Sequence, residues 1–241
     1  MKLYLAGHTG LVGSALQRRL AGHSRYDVVV ATRADVDLLH QAAVEAWLSR
    51  VRPDAVIVAA GRVGGILANS RRPAEFVYEN LMIATHLIHG AWNAGVTRLL
   101  NFGSSCMYPR DCPQPMRPDH LMTGPLEPTS EPYAMAKWAG LSMCASYNRQ
   151  YGTRFLTAIP ATVYGPGGSF DPDEAHVLSA LIRKFHEAAE RGSPEVTVWG
   201  TGRARREFLF SDDLAEACEL LLDCEDVTRP INVGPGTSWT I

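Results

Sequence analysis

Tyr133 and Lys137 stand four residues apart in the run Tyr133-Ala-Met-Ala-Lys137, a spacing that puts both side chains on one face of a helix. A phenol is hardly ionised at pH 7, and a neighbouring ammonium together with the charge of an oxidised nicotinamide favours the phenolate. The pair is therefore a candidate proton relay. The segment Gly103-Ser-Ser-Cys-Met-Tyr108 supports this interpretation, because it follows a predicted strand and offers a hydroxyl to hold a carbonyl oxygen.

A glycine-rich segment, Gly7-His-Thr-Gly10-Leu-Val-Gly13, lies between the first predicted strand and the first predicted helix. Glycines there let the backbone approach a pyrophosphate, while the helix N-terminus supplies N–H donors and a partial positive charge. A tight strand-to-helix turn is the structural alternative. The position directly after a strand favours nucleotide binding.

The second predicted strand ends at Ala31-Thr32-Arg33. An acidic residue near this point takes a ribose 2′-hydroxyl, whereas an arginine accommodates a 2′-phosphate. Asp35 and Asp37 are close enough that either could face an adenosine, and Arg33 could instead be a solvated surface charge. The pattern predicts NADP rather than NAD.

Strands and helices that could position these residues alternate along the first two thirds of the chain. Apolar, β-branched runs predict strands at Leu3–Ala6, Val28–Thr32, Ala55–Ala59, Arg98–Phe102 and Arg154–Ile159. Helical patterns fill the intervals at Val12–Gly22, Gln41–Val51, Pro73–Gly95 and Pro132–Tyr151. This alternation predicts an α/β fold with a doubly wound parallel sheet.

The rhythm changes after Pro160, which predicts one domain over residues 1–160 and a smaller lobe over 161–241. In the lobe we expect a helix at His176–Gly192, a strand at Glu195–Trp199, a basic turn at Arg203–Arg206 and a helix at Ser211–Cys224. Clefts between lobes are common ligand sites. The last residues combine a glycine turn with Ser and Thr, which is typical of a helix start, so we expect a C-terminal segment to be missing.

Composition excludes several classes of function. The net charge is −2, from 23 Lys and Arg against 25 Asp and Glu, so no general basic field draws the chain to nucleic acid or anionic lipid. The 5 cysteines are scattered without a C-x-x-C pair, so neither a disulfide framework nor a metal site is expected. The N-terminus lacks a signal-peptide pattern, and the charge-free run from Asn80 to Thr97 contains polar residues that argue against a membrane span. We therefore expect a cytoplasmic protein.

Several motifs together resemble the extended short-chain dehydrogenase/reductases, and within them the GDP-L-fucose synthases. Besides the glycine segment and the Tyr133–Lys137 pair, the resemblance rests on seven segments of this chain: Ala59-Ala-Gly-Arg-Val-Gly-Gly65, Gly103-Ser-Ser-Cys-Met-Tyr-Pro109, Glu127-Pro-Thr-Ser-Glu-Pro-Tyr133, Ser146-Tyr-Asn-Arg-Gln-Tyr-Gly152, His176 with Arg183-Lys-Phe-His-Glu187, Val198-Trp-Gly200, and Arg206-Glu-Phe-Leu209. The V-G-G and S-S-C-x-Y-P segments are far more specific than the glycine turn.

The resemblance implies a Rossmann-type domain that binds NADP(H). The residues it assigns to the cofactor are Gly7, Thr9, Gly10, Leu11, Val12, Gly13, Arg33, Asp37, Leu38, Ala59, Ala60, Lys137, Pro160, Ala161, Thr162, Val163 and His176. It also implies a homodimer formed through the helices at Pro73–Gly95 and Pro132–Tyr151.

The implied reaction has two stages, epimerisation at C3 and C5 of GDP-4-keto-6-deoxy-D-mannose and reduction at C4, which together give GDP-L-fucose. Cys106 and His176 would be base and acid of the first stage. In the second, Tyr133 would donate a proton, Lys137 would lower the pKa of the tyrosine, and Ser104 would bind the developing alkoxide. Ser105 is an alternative to Ser104. Without the resemblance, Cys106 is a small buried apolar residue, and His176 starts a helix or lies in the core.

The resemblance assigns the GDP-sugar to Lys184, Trp199 and Arg206, since a diphosphate needs cationic donors and an indole stacks on guanine or sugar faces. A solvated hairpin tip with Trp199 in the core is the alternative. The chain departs from the family in carrying Thr9 and Lys184 where arginine is common, and in ending before further family elements. Another nucleotide-sugar epimerase or 4-ketoreductase, or a non-catalytic dinucleotide-binding protein, are the competing functions.

Overall fold

The computed structural model describes residues 1–171, 174–224, 227 and 229–241. In these residues the strands are β1 (Lys2–Ala6), β2 (Asp27–Val30), β3 (Ala55–Val58), β4 (Arg98–Phe102), β5 (Arg154–Pro160), β6 (Thr162–Tyr164), β7 (Arg205–Phe210), β8 (Ile231–Val233) and β9 (Ser238–Thr240). The helices are α1 (Leu11–Ala21), α2 (Gln41–Val51), α3 (Ile66–Arg71), α4 (Pro73–Asn93), α5 (Glu131–Tyr151), α6 (Val177–Glu190) and α7 (Ser211–Asp223).

A parallel sheet of 6 strands in the order β2-β1-β3-β4-β5-β8 forms the centre of the fold. The strands are apolar because both faces of the sheet are covered, and every residue of β3 is buried. The order reverses next to β1, which has β2 on one side and β3 on the other. Such a reversal opens a crevice at the carboxyl ends of the strands, where ligands bind in folds of this kind.

Helices cover both faces of this sheet. On one face Leu16 of α1 packs with Leu214 of α7. On the other, Leu48 of α2, Leu87 of α4 and Cys144 of α5 share a second apolar cluster. The predicted doubly wound α/β architecture is therefore confirmed.

A smaller mixed sheet follows in the order β6-β7-β9, with β6 and β7 parallel and β9 antiparallel to β7. Its neighbour in sequence, β8, returns to the large sheet beside β5, and α7 packs on α1. The C-terminal 81 residues thus contribute to both sheets, and the division at residue 160 stays a prediction.

Three predictions for this region are wrong. The last residues, expected to start a helix, form β9 instead, because they pair with β7. Residues 195–199 form no strand, because no other strand of the described chain pairs with them and a β pattern without a partner leaves its backbone groups to water. The basic turn predicted at Arg203–Arg206 ends early, because Arg205 and Arg206 already belong to β7 and pair in register with Thr240 and Trp239. The short helix α3, which follows the V-G-G segment, was not predicted.

None of the helices in the described ranges is long and apolar enough to cross a bilayer. All five cysteines carry free thiols.

The turn between β1 and α1 is closed by two glycines whose side-chain positions are already filled. Gly7 has φ +89°, and a Cβ on it would lie 2.5 Å from the backbone nitrogen of Ala60. A Cβ on Gly13 would lie 1.9 Å from the carbonyl oxygen of Gly7. Gly10 differs, because its Cβ would meet the Gly7 oxygen at an ordinary 3.6 Å. Packing therefore demands glycine at positions 7 and 13 but not at 10.

We predict that Gly13→Ala destabilises the fold and that Gly10→Ala, the matched control in the same turn, does not. Forcing a methyl group into the Gly7 carbonyl should cost about 3 kcal/mol, as severe overpacking does, and lower the Tm by about 5–10 °C. Gly10→Ala should cost at most about 1 kcal/mol as a helix cap. Thermal unfolding of both variants measures this, and equal Tm values would contradict it.

Candidate active site

A cleft of ≈ 260 Å³ opens at the carboxyl ends of β1 and β2, at the reversal of strand order. Gly7, His8 and Thr9 line it from the glycine turn, and Ala31, Thr32, Arg33, Val36, Asp37, Leu38 and Leu39 line it from the segment after β2. Glu79 and Ile83 of α4 complete the wall. The structure thus brings together five of the residues predicted to bind the cofactor, namely Gly7, Thr9, Arg33, Asp37 and Leu38.

The charged residues after β2 have different tasks. The Asp35 carboxylate accepts hydrogen bonds from the backbone N–H and the hydroxyl of Thr32 at 2.8 and 2.7 Å, which lower its pKa and hold the turn. Asp37, rather than Asp35, lines the cleft. Arg33 has a side chain that is 78% exposed and a loose 3.9 Å ion pair with Asp37, so its guanidinium is held weakly at the cleft mouth.

The segment after β3 closes the other side of the glycine turn. Ala59 donates its N–H to the Ala6 carbonyl at 2.9 Å, and Ala60 lies against Gly7. The next turn is held by Asn80, a buried side chain of α4 that accepts from the N–H of Arg62 at 3.1 Å and donates to its carbonyl at 2.9 Å. Sequence reasoning missed this role; its signal was a polar residue at the start of the charge-free run.

A hydroxyl, a thiol and a phenol meet at the carboxyl end of β4. Ser104 caps a short 3-10 turn, and its hydroxyl accepts a hydrogen bond from the N–H of Cys106 at 3.3 Å. The same hydroxyl lies close enough to the Tyr133 phenol to lower its pKa, and Cys106 packs in the apolar cluster that contains Tyr133. Ser105 is exposed instead. The geometry favours Ser104 over its neighbour as the partner of the tyrosine.

Burial controls the protonation of the Tyr133–Lys137 pair. It raises the pKa of Tyr133 above its ordinary value of 10.0, with the Ser104 hydrogen bond as a smaller opposing effect. It lowers the pKa of Lys137 from 10.5 to about 8. The Lys137 ammonium stands 5.8 Å from the Tyr133 ring centroid, over the ring rather than at the hydroxyl. The unliganded protein therefore carries a protonated phenol beside an ammonium that burial disfavours.

Polar atoms in this region lack partners. The buried Nδ1 of His8, in the glycine turn, makes no hydrogen bond within the described residues. The first turn of α1 has no side-chain cap, so N–H groups at Leu11 and Val12 remain available beside it. A ligand carrying phosphates and hydroxyls fits these donors and the glycine cradle.

The remaining cofactor candidates lie where the chain leaves the large sheet. Pro160 ends β5, Ala161 donates its N–H to the Val233 carbonyl at 2.9 Å, and Thr162 and Val163 enter β6. His176 directly precedes α6, and desolvation lowers its pKa below 6.5, so its imidazole is neutral at pH 7.

The structure joins two of the three predicted substrate residues. The Lys184 ammonium of α6 lies 4.6 Å from the Trp199 ring centroid and donates to the Thr197 carbonyl at 3.4 Å. Trp199 is 80% exposed, which excludes the core alternative for it. Arg206 lies on β7, where its guanidinium donates to the Arg205 carbonyl.

Known proteins are similar to this chain over its whole length. The chain is 48% identical to GDP-L-fucose synthase 1 of Arabidopsis thaliana over 240 residues, which cover 100% of this chain and 74% of that protein. It is 44% identical to GDP-L-fucose synthase of Escherichia coli strain K12 over 249 residues, covering 100% of this chain and 78% of that one.

Solved structures share the fold as well. A GDP-D-glycero-L-gluco-heptose synthase of Campylobacter jejuni, determined in the presence of NADPH, superposes with a TM-score of 0.89 at 34% identity and covers 100% of this chain and 82% of its own. The model of the NAD dependent epimerase/dehydratase family matches residues 3–234. The resemblance predicted from the motifs is confirmed, and the chain belongs to the NAD dependent epimerase/dehydratase family.

Proposed function

We propose that this chain is an NADPH-dependent enzyme that epimerises C3 and C5 and reduces C4 of GDP-4-keto-6-deoxy-D-mannose, giving GDP-L-fucose. The names of its relatives in Arabidopsis thaliana and Escherichia coli support this reaction. The observation that carries it is the Cys106 thiol in the cluster of Tyr133, because a simple ketoreductase has no need of a second proton-transfer group there.

The cofactor site uses the cleft along the glycine turn. Bound NADPH supplies the hydride for C4. The first turn of α1 offers N–H groups to the pyrophosphate, and the loosely held Arg33 is free to turn towards a 2′-phosphate. Thr9 adds no charge, so Arg33 carries the preference for NADPH over NADH.

In the reductive stage the substrate oxygen at C4 gains a proton as the carbon gains the hydride. The raised pKa of Tyr133 keeps its phenol protonated and ready to donate that proton. The Ser104 hydroxyl, whose proximity lowers the pKa of the phenol, hydrogen-bonds the same substrate oxygen and stabilises its developing charge. The Lys137 ammonium, next to the Tyr133 ring, stabilises the negative charge of the phenolate that forms when the proton leaves.

In the epimerising stage the C4 ketone acidifies the hydrogens on C3 and C5. The Cys106 thiolate removes a proton from one face, and His176 returns one from the other. His176 donates as an imidazolium and is left as a neutral imidazole, while the thiolate becomes a thiol. Desolvation lowers the pKa of His176, which makes its imidazolium a stronger acid. Each removal and return leaves the proton count of the enzyme unchanged.

Residues 161–241 form the substrate lobe in this proposal. The Lys184 ammonium binds the diphosphate, and the exposed Trp199 stacks on guanine or sugar. Arg206 adds a second cation from β7. The five free thiols, among them a Cys106 that must stay reduced, fit a reducing compartment, and we propose the cytoplasm.

Substitution of the two proton-transfer groups separates the proposed function from its alternatives. We expect Cys106→Ser to abolish solvent-deuterium incorporation at C3 and C5 while some C4 reduction persists. We expect Tyr133→Phe to lower NADPH oxidation by ~10²–10⁴-fold, the usual contribution of a general acid, with exchange retained. Absorbance of NADPH and mass spectrometry of the product measure both.

NADPH binding, followed by its fluorescence, is the control and should be equal in both variants and the native chain. If Cys106→Ser leaves exchange and reduction unchanged, the chain is a simple 4-ketoreductase. If NADPH binds and none of the keto-sugars tested causes its oxidation, the chain is a non-catalytic dinucleotide-binding protein.

Lys137→Met tests the buried ammonium without any ligand. The folded pKa of about 8 lies below the unfolded 10.5, so Lys137 costs stability below pH 8, and the cost disappears as pH rises to 10.5. The variant should be more stable than the native chain by about 1–3 kcal/mol at pH 7 and by much less at pH 10. Urea unfolding at both pH values measures this. Lys184→Met on an exposed helix is the control, and a gain that does not change with pH would contradict the prediction.

A homodimer through α4 and α5 completes the proposal. Large apolar side chains stand exposed on these helices, with Tyr78 56%, Met135 45% and Tyr151 45% accessible, and a second copy would cover them. We expect sedimentation at micromolar concentration to give twice the 26.3 kDa of one chain. A mass of 26.3 kDa would contradict it.

A further inference from the structure

The V-G-G segment makes an unusually close contact with the residues just before α6. A Cβ on Gly65 would lie 2.7 Å from the carbonyl oxygen of Ala175. Gly65 also donates its N–H to the Glu174 carbonyl at 2.9 Å. Its own φ of −67° and ψ of −179° suit any residue, so only this approach requires glycine. The next residue after the contact is His176.

A second contact fixes the same segment from the other end of α3. The guanidinium of Arg72, the residue between α3 and α4, lies 2.7 Å from the Glu174 carboxylate. Both side chains are partly exposed, at 35% and 44%, so the pair adds little stability. The ion pair instead fixes the orientation of the segment, since the backbone of Glu174 is held by Gly65 and its carboxylate by Arg72.

These contacts belong to a rigid platform. The buried Asn69 of α3 donates to the carbonyls of Gly64 and Gly65 at 2.8 and 3.0 Å. Phe76 of α4 packs edge-on against Tyr133 with ring centroids 6.4 Å apart, and Cys106 adjoins the same cluster. The residues just before His176 therefore contact α3 and the V-G-G segment, which in turn pack next to the cluster of Tyr133 and Cys106.

We propose that Gly65 and Arg72 are positioning residues for His176, which set its imidazole against the Cys106 side of the substrate. The inference rests on the proposed function, because it gives the V-G-G segment a task in epimerisation alone. Neither residue transfers a proton. A shift of about 1 Å in a reacting group can cost 10²-fold in rate, so a methyl group at position 65 acts through distance.

The test compares Gly65→Ala with Gly22→Ala, a glycine with a helical φ of −77° and no atom closer than 3.8 Å to its Cβ position. Deuterium incorporation at C3 and C5 is measured with NADP⁺, so that no reduction occurs. We expect Gly65→Ala to lower it ~10–100-fold. The Kd for NADPH should match that of Gly22→Ala, whereas the Tm should be lower, because the added Cβ meets a backbone carbonyl as at Gly13, though less closely. Exchange is therefore measured well below the Tm of the variant. Glu174→Gln, which keeps the backbone contact, should lower exchange by ~2–5-fold.

A double-mutant cycle shows whether the effect passes through His176. In a His176→Asn background, Gly65→Ala should cause no further loss of exchange. Two results would overturn the inference while the proposed function stands. One is an exchange rate of Gly65→Ala within twofold of the native rate, and the other is an equally large loss from Gly65→Ala in the His176→Asn background. A native chain that binds NADPH but exchanges no deuterium would overturn the proposed function and this inference with it.

Discussion

Close packing at the carboxyl edge of the large sheet holds the turns of the candidate site in place. Gly7 lies against the backbone of Ala60, and Gly13 lies against Gly7, so the turns after β1 and β3 share one small space. Any side chain there would push α1 away from the sheet. Because parallel strands all end at this edge, the turn after β4 with Ser104 and Cys106 is brought to the same place.

The price of this arrangement is electrostatic. Tyr133 and Lys137 sit in apolar surroundings that favour their neutral forms, which raises the pKa of the phenol and lowers that of the ammonium. Burial of such a pair lowers the stability of the fold. Groups with perturbed pKa values of this kind cluster at the active sites of proteins. Lys137 stands beside Gly61, in the segment that packs against the glycine turn, so its ammonium can interact strongly with a charged ligand held there.

The region proposed to bind the substrate is built differently. No residue of α6 is buried, and Lys184 and Trp199 face solvent together. In contrast, the residues just before α6 are fixed against the V-G-G segment by backbone and ion-pair contacts. The proposed acid–base histidine thus stands between a segment held by these contacts and a helix that has no buried residue.

The doubly wound sheet could be predicted from the sequence, because buried strands and amphipathic helices leave local patterns of period and turn residues. The amino-acid pattern is sufficient there. It also indicated the Tyr133–Lys137 pair and the glycine turn, since both depend on short fixed spacings. The three-dimensional structure was needed to show that residues 195–199 form no strand, because strand formation needs a partner distant in sequence. It likewise decided that Asp37 rather than Asp35 lines the cleft, that Asn80 holds the Arg62 turn, and that Gly65 receives Ala175. Each of these is a contact between segments far apart in the chain or a choice between neighbours, and local spacing carries no record of either.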